Sequence, residues 1–388
     1  MGVISAIGNT VAQNHAALIQ GSCGIKKPNN FPSKYADILP FGLVQLSSDE
    51  LKAKLHVTAR GVTRTTLLAM HAANEAIADA GITVQQLTSP QTALIGATTV
   101  GGMCLMDELY RDANRTSGGS EFISSYDCAS VFMFLQAHYH ITGLVNTINT
   151  ACSSSANAIM YGARLIKNGL AKRVIAGGAD SLSKFTINGF NALHILSREI
   201  CIPFDENRQG LNLGEGAAFL ILEGEESVGN KKVYAELTGY CNCNDAFHPS
   251  SLSDDGDGPC LAMEGALASA KINANMIDFI NAHGTATQNN DEVESKALKK
   301  VFGDNVPAFA SVKANIGHTL GAASAIEAVY SILNLVQQEL YAGLNFTQPI
   351  SSTGLVPITA YTKTGVRNVM SNSFGFGGNC SSLIFSKS

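Results

Sequence analysis

The chain has 388 residues, 45% of them hydrophobic and 15% charged, with a net charge of −5 and a pI near 6.0. That composition excludes a disordered chain, gives enough apolar material for one large or two ordinary cores, and argues against a general nucleic-acid binder, which needs a basic face. No long apolar run or leader-like start stands out and nine cysteines lack framework spacing, so the expectation is a soluble cytoplasmic protein with reduced thiols and no membrane span.

Residues 2–8 look like the end of a strand running into a turn, and so little precedes them that the first strand is expected to be clipped. A short helix fits 9–20. Residues 21–60 read as mixed and loop-like, with Pro28, Pro32 and Pro40 breaking any regular pattern. The alanine-rich run 65–80 predicts a helix stopped by Gly81. Residues 92–98 predict a strand, with a turn starting at Gly101-Gly102. A helix is expected over 124–143, with Phe132, Phe134 and Leu135 facing inward, and 144–148 reads as a short buried strand.

At 147–158 the backbone period changes from strand to helix, and Cys152 falls at the change. Ala156, Ile159, Met160, Ala163 and Ile166 recur at helical spacing behind it, so free N–H groups and the positive end of a helix dipole are expected to favour a thiolate there. Cys152 is thus the candidate nucleophile. A strand over 173–176 closes at Gly177-Gly178.

After about residue 230 the pattern restarts, with strands expected over 233–237, 277–281 and 308–312 and helices over 258–270, 291–302 and 317–335. The last opens with His318 and the small residues Gly321-Ala322-Ala323-Ser324-Ala325, mirroring the small-residue opening of the Cys152 helix. Two helices of that kind can approach closely, which suggests two similar halves, 1–230 carrying the cysteine and 231–388 carrying the histidines. Ala282-His283-Gly284-Thr285 and Lys313-Ala314-Asn315-Ile316-Gly317-His318 each follow a strand, the usual edge for α/β chemistry. Ser373-Phe374-Gly375-Phe376-Gly377-Gly378-Asn379 reads as a glycine-flanked loop whose N–H groups can approach a ligand. One cysteine with two loop histidines suits acyl transfer: the sulfur carries the acyl group, and the rings stabilise an oxyanion or enolate.

With Thr150-Ala151-Cys152-Ser153-Ser154, Pro203-Phe204-Asp205, Leu213-Gly214-Glu215-Gly216 and the segments above in this order, the chain resembles an elongating β-ketoacyl-acyl carrier protein synthase of the thiolase superfamily. The resemblance runs from about residue 2 to the C-terminus. It implies an α/β, thiolase-like five-layer αβαβα fold of two related halves, a homodimer or heterodimer, and a decarboxylating Claisen condensation with malonyl-acyl carrier protein. It also implies that Cys152 is acylated, that His283 and His318 act as neutral donors on the malonyl thioester, that Lys313 is the catalytic motif's lysine, and that Glu327 anchors it. By the same resemblance the N–H groups of Cys152 and Phe376 form the oxyanion hole, and Phe376 is the gate. No cofactor of its own is implied, because the phosphopantetheine arm belongs to the carrier. Ser153-Ser154-Ser155 and Asn379-Cys380 depart from common fatty-acid versions and leave the acyl substrate open. The alternatives are a non-catalytic chain-length partner, which typically loses the cysteine, and a thiolase or initiating synthase, against which His318 and the Lys313–His318 motif speak.

Met106, Phe132 and Phe134 are candidates for the acyl pocket, and Arg60, Arg64 and Arg198 for docking an acidic carrier. Cys241-Asn242-Cys243 with His248 lacks a second ligand pair for zinc, and 254–258 lacks the terminal glutamate of a calcium loop. No metal site is expected.

Overall fold

The computed structural model describes residues 1–28, 31–115 and 117–388. Ten strands form two five-stranded sheets. The first holds β1 (Gly2–Ile4), β2 (Thr92–Ala97), β3 (Val145–Ile148), β4 (Arg173–Asp180) and β5 (Gly216–Glu223), in spatial order β1-β5-β4-β2-β3. The second holds β6 (Glu236–Asn244), β7 (Phe279–Asn281), β8 (Ala308–Ala310), β9 (Asn368–Gly375) and β10 (Asn379–Ser386), in order β6-β10-β9-β7-β8. Adding five to each label of the first sheet gives the second. Pairing directions repeat too: the first two pairs of each sheet are antiparallel and the last two parallel.

Alternating side chains divide the apolar residues among three cores, as the period of two in a strand requires. Ile95, Val174 and Leu220 of the first sheet and Val369 and Leu383 of the second face a central core built on α6 (Ser154–Lys167) and α10 (Ala323–Gln337). Their neighbours Leu94, Ile175 and Phe219 face α3 (Arg64–Asp79) and α5 (Ala129–Tyr139) on the outer side. Met370 and Ile384 face α8 (Asp257–Ala270) and α9 (Gln288–Phe302). The layers are therefore helix, sheet, helix, sheet, helix, as the resemblance implies.

Helices α1 (Val11–Ile19), α3, α8 and α9 and strands β1 and β2 fall close to their sequence expectations. Elsewhere the structure corrects them. Residues 21–60 contain α2 (Ser48–Leu55), opened by a capping box between Ser47 and Glu50. Of the expected 124–143 helix, the start is a separate 3₁₀ turn at Ile123–Ser125, and α5 ends where His140 takes a left-handed conformation. Strand β3 is a half-exposed edge rather than a buried strand. Gly177-Gly178 do not close β4 but lie within it, since a Cβ on Gly177 would sit 2.0 Å from the Ala218 carbonyl oxygen of β5. The 373–379 loop is largely the end of β9 and the start of β10. Helices α4 (Met106–Arg115) and α7 (Lys184–Ala192) and strand β5 add to the expected elements.

The 317–335 helix starts six residues later than expected, after a 3₁₀ turn at Leu320–Ala322. His318 therefore stands in a loop. The segment Leu320–Gln337 is apolar over 18 residues, and 89% of it is buried inside the fold. A helix packed between two sheets is apolar all round for that reason.

Candidate active site

Cys152 lies two residues before α6, after Ala151, which holds a left-handed φ of 53°. That conformation is costly for a residue with a side chain and is held by its surroundings: Ser154 Oγ donates to Ala151 O, and Thr150 N donates to Ser154 Oγ. The turn aims the sulfur at the other half of the chain. Sγ lies 2.9 Å from Nε2 of His318. His283, directly beyond β7, sets its ring 5.5 Å from that of His318, centroid to centroid. All three side chains are almost fully buried.

The His283 backbone is fixed by a carboxylate. Glu294 on α9 accepts the N–H groups of His283 and Gly284, both at 2.8 Å. Burial pushes the Glu294 carboxyl up to about 7 although these two donors pull the other way. The His283 ring is fixed by Lys313. Its Nζ lies 3.3 Å from Nδ1 of His283 and 2.6 Å from Oε1 of Glu327. An ammonium has only donors, so Nδ1 accepts and the proton of the neutral ring sits on Nε2. Burial, then the Lys313 charge, hold both histidines well below their ordinary range, and for His283 the His318 ring adds to this. Neutral imidazoles follow, in line with the expected donor role.

The thiol departs from expectation. Burial pushes Cys152 up to about 11, although Lys313 and the N–H groups of Phe376 and Cys152 act in the opposite direction. Desolvation of the charged form thus opposes the thiolate that a helix terminus favours, and the direction is toward a thiol in contact with His318.

Gly375 closes the site from β9. A Cβ there would lie 2.9 Å from Thr150 O and 3.1 Å from Cys152 N, so only glycine lets β9 approach the nucleophile this closely. The next residue, Phe376, thereby brings its N–H to the sulfur, and its ring stacks on Phe190 with centroids 5.8 Å apart. A cavity of about 520 Å³ opens onto Cys152, His283 and His318. Phe190, Leu211, Leu252, Phe374 and Phe376 give it apolar walls, and Thr285, Thr287 and Asn289 are among its polar groups.

The structure brings together Cys152, His283, His318, Lys313, Glu327 and Phe376. It does not bring the other candidates to the cavity. Phe132 is buried in the outer core, 6.4 Å from Phe219; Phe134 stacks on His138; and Met106 starts α4, outside the cavity lining. Arg64 is an internal strut: its guanidinium holds the fully buried Glu215 at 2.6 Å and donates to the carbonyls of Val44 and Leu46. Arg60 is exposed and paired with Glu121 at 3.0 Å, and Arg198 is exposed. Sequence reasoning missed Glu294 and Asp180. Asp180, at the end of β4, accepts Thr99 N, Val100 N and, at 2.7 Å, Gly321 N. Nothing in the spacing of either residue signals these backbone partners.

The Cys152, His283 and His318 donor atoms lie within 4.8 Å of one another, close enough for a metal. The Lys313 ammonium against His283 opposes a dication there. Cys241, Cys243 and His248 do not form a ligand cluster among the described residues.

Two family models cover most of the chain: "Beta-ketoacyl synthase, N-terminal domain" over residues 1–227 and "Beta-ketoacyl synthase, C-terminal domain" over 234–347. The chain is 33% identical to 3-oxoacyl-[acyl-carrier-protein] synthase 1 of Haemophilus influenzae, across 100% of this chain and 97% of that protein. It is 32% identical to the mitochondrial 3-oxoacyl-[acyl-carrier-protein] synthase of Arabidopsis thaliana, across 99% and 91%. Among solved structures, the ishigamide ketosynthase/chain length factor superposes with a TM-score of 0.92 at 28% identity, covering 100% of this chain and 97% of that one.

Proposed function

The chain belongs to the beta-ketoacyl synthase family, and from that premise we propose how its residues run the decarboxylating condensation of an acyl-enzyme thioester with malonyl-acyl carrier protein. The enzyme is an acyltransferase. Cys152 takes the acyl group from a carrier thioester. Its proton passes to His318 Nε2, 2.9 Å away, and leaves with the pantetheine thiol. The tetrahedral oxyanion is met by the N–H groups of Cys152 and Phe376. Once Sγ is acylated it offers no proton; the His318 ring proton, left on Nδ1 when Nε2 gave up the thiol proton, moves to Nε2 by tautomeric exchange, and His318 then joins His283 Nε2–H in holding the malonyl thioester carbonyl. Loss of carbon dioxide leaves an enolate between these two donors. Its carbon attacks the acyl-cysteine, and the thiolate leaves as the β-ketoacyl-carrier forms.

The observation that carries this reading is a buried thiol 2.9 Å from Nε2 of one neutral histidine, His318, with a second, His283, within 4.8 Å and its tautomer set by the Lys313–Glu327 pair. The phosphopantetheine arm is the carrier's, and the enzyme brings no cofactor. The chain divides at 230/231 into a cysteine half and a histidine half. Phe376, stacked on Phe190, is the gate. The half-exposed edge strand β3, with Leu144 43% exposed beside it, supports a homodimer through that edge. The chain-length-factor neighbour favours a heterodimer as the second reading. The nine cysteines, free of disulfides among the described residues, support a reducing cytoplasmic setting. Incubation with acyl-carrier and malonyl-carrier, read by mass on the carrier, is expected to yield a β-ketoacyl product longer by one two-carbon unit. Unchanged carriers, with the protein folded, would remove the reading.

A further inference from the structure

Cys243 and Cys380 stand directly opposite each other in the antiparallel pair β6/β10. Residues in that relation have Cα atoms about 4.5–5.5 Å apart, inside the range a disulfide spans. Both side chains lie in one small core cluster beneath α8 with Leu252 and Phe374. Cys243 is partly exposed and also donates to Gly258 O at 3.1 Å, whereas Cys380 is fully buried. The catalytic cycle uses neither sulfur.

We infer that Cys243 and Cys380 form a reversible disulfide site that reacts with hydroperoxides and stiffens the roof of the catalytic cavity. The Cys243 thiolate attacks the peroxide oxygen, giving a sulfenic acid and one water. The Cys380 sulfur then displaces the second water, so two thiols lose two electrons and one hydrogen peroxide becomes two waters. The neighbouring Cys380 holds Cys243 below its ordinary thiol range, which favours the attacking form.

The position gives the bond its effect. Cys243 precedes the 244–250 segment and Cys380 follows the Phe376–Gly378 turn, and the two segments interlock: Asn244 Nδ2 donates to Gly377 O at 2.8 Å, Asp245 N to Gly378 O at 2.7 Å and Gly377 N to Pro249 O at 2.7 Å. Ser250, Ser251 and Phe376 line the cavity. A covalent bond at the roots of both segments ties them together where only hydrogen bonds do so in the reduced protein. This effect rests on the reading of Phe376 as the gate, whereas the bond itself does not.

The test treats the full-length protein and Cys243→Ser with limiting hydrogen peroxide. Peptide mapping is expected to show a Cys243–Cys380 cross-link, lighter by two hydrogens, in the unaltered protein alone. Acylation of Cys152 by an acyl-pantetheine thioester is expected to slow several-fold there, to recover with dithiothreitol, and to slow less in Cys243→Ser, whose remaining loss reports oxidation of Cys152. Oxidation of Cys23 or Cys241 without the cross-link overturns the site. A cross-link with equal acylation rates in both proteins overturns its action on the roof. Failure of the reduced protein to acylate would count against the catalytic reading, while the cross-link is scored independently by mass.

Discussion

The two halves share a topology, and the places where they differ make the site. Each has a left-handed residue three positions before its central helix, Ala151 ahead of α6 and Leu320 ahead of α10. The second residue of each helix is a serine that reaches across: Ser324 Oγ donates to Cys152 O at 3.0 Å, and Ser155 Oγ accepts from Ala325 N at 2.9 Å. The residues after the left-handed positions are Cys152 and Gly321. The fourth strands end at Asp180 and Gly375, each paired with the first residue of the fifth strand. At Gly321 the backbone N–H is capped by the Asp180 carboxylate. At Cys152 the corresponding strand end is a glycine, which has no side chain to cap the N–H that the proposed mechanism gives to the oxyanion. One architecture is therefore closed and structural on one side, open and chemical on the other.

Removing the open side's nucleophile has the largest expected effect. Cys152→Ala should abolish condensation, since no other thiol stands at that turn; retained product formation on the carrier would show that the acyl group rides elsewhere. Next comes the contribution of the other half. His283→Ala or His318→Ala removes one neutral donor and should slow decarboxylation by about 10²- to 10³-fold, as for a single oxyanion donor. Acylation of Cys152, followed by mass, should suffer less, and equal losses in both steps would erase the division of labour. Gly375→Ala tests the open N–H itself. The new methyl meets backbone at 2.9 and 3.1 Å, so β9 must shift and acyl transfer should fall by about 10- to 100-fold, the scale of a misplacement near 1 Å.

The raised thiol gives a pH test. Alkylation of Cys152 by iodoacetamide requires the thiolate, so its rate should keep climbing with pH toward about 11. A plateau near neutrality would mean that the helix terminus outweighs burial. The smallest effect belongs to the surface. Charge reversal at Arg60 or Arg198 should slow carrier turnover a few-fold at low salt and little once the Debye length drops below about 8 Å, leaving small pantetheine thioesters unaffected. Arg64→Glu is different in kind: it leaves Glu215 buried and unpaired, and thermal unfolding should show a clear loss of stability.

The sequence carries the fold class and the order of the motif segments better than the element boundaries around them. Cys152, His283, His318, Lys313 and Phe376 sit in segments whose order and spacing identify them, and helices such as α3 and α9 show through their apolar period. What stays hidden depends on contacts across the chain. Gly177-Gly178 look like a stop until β5 is seen against them. Asp180 and Glu294 resemble any acidic residue because their partners are backbone N–H groups from other elements. Arg64 looks like a surface cation until Glu215, 151 residues away in sequence, is beside it. The Ser47/Glu50 capping box was a readable sign of α2, masked by the prolines before it.

The most direct measurement is malonyl-carrier decarboxylation by Cys152→Ala. If the histidine half holds the enolate on its own, this variant still converts malonyl-carrier to acetyl-carrier while making no condensation product. Loss of decarboxylation together with condensation, in a folded variant, would contradict the separation of roles between the two halves.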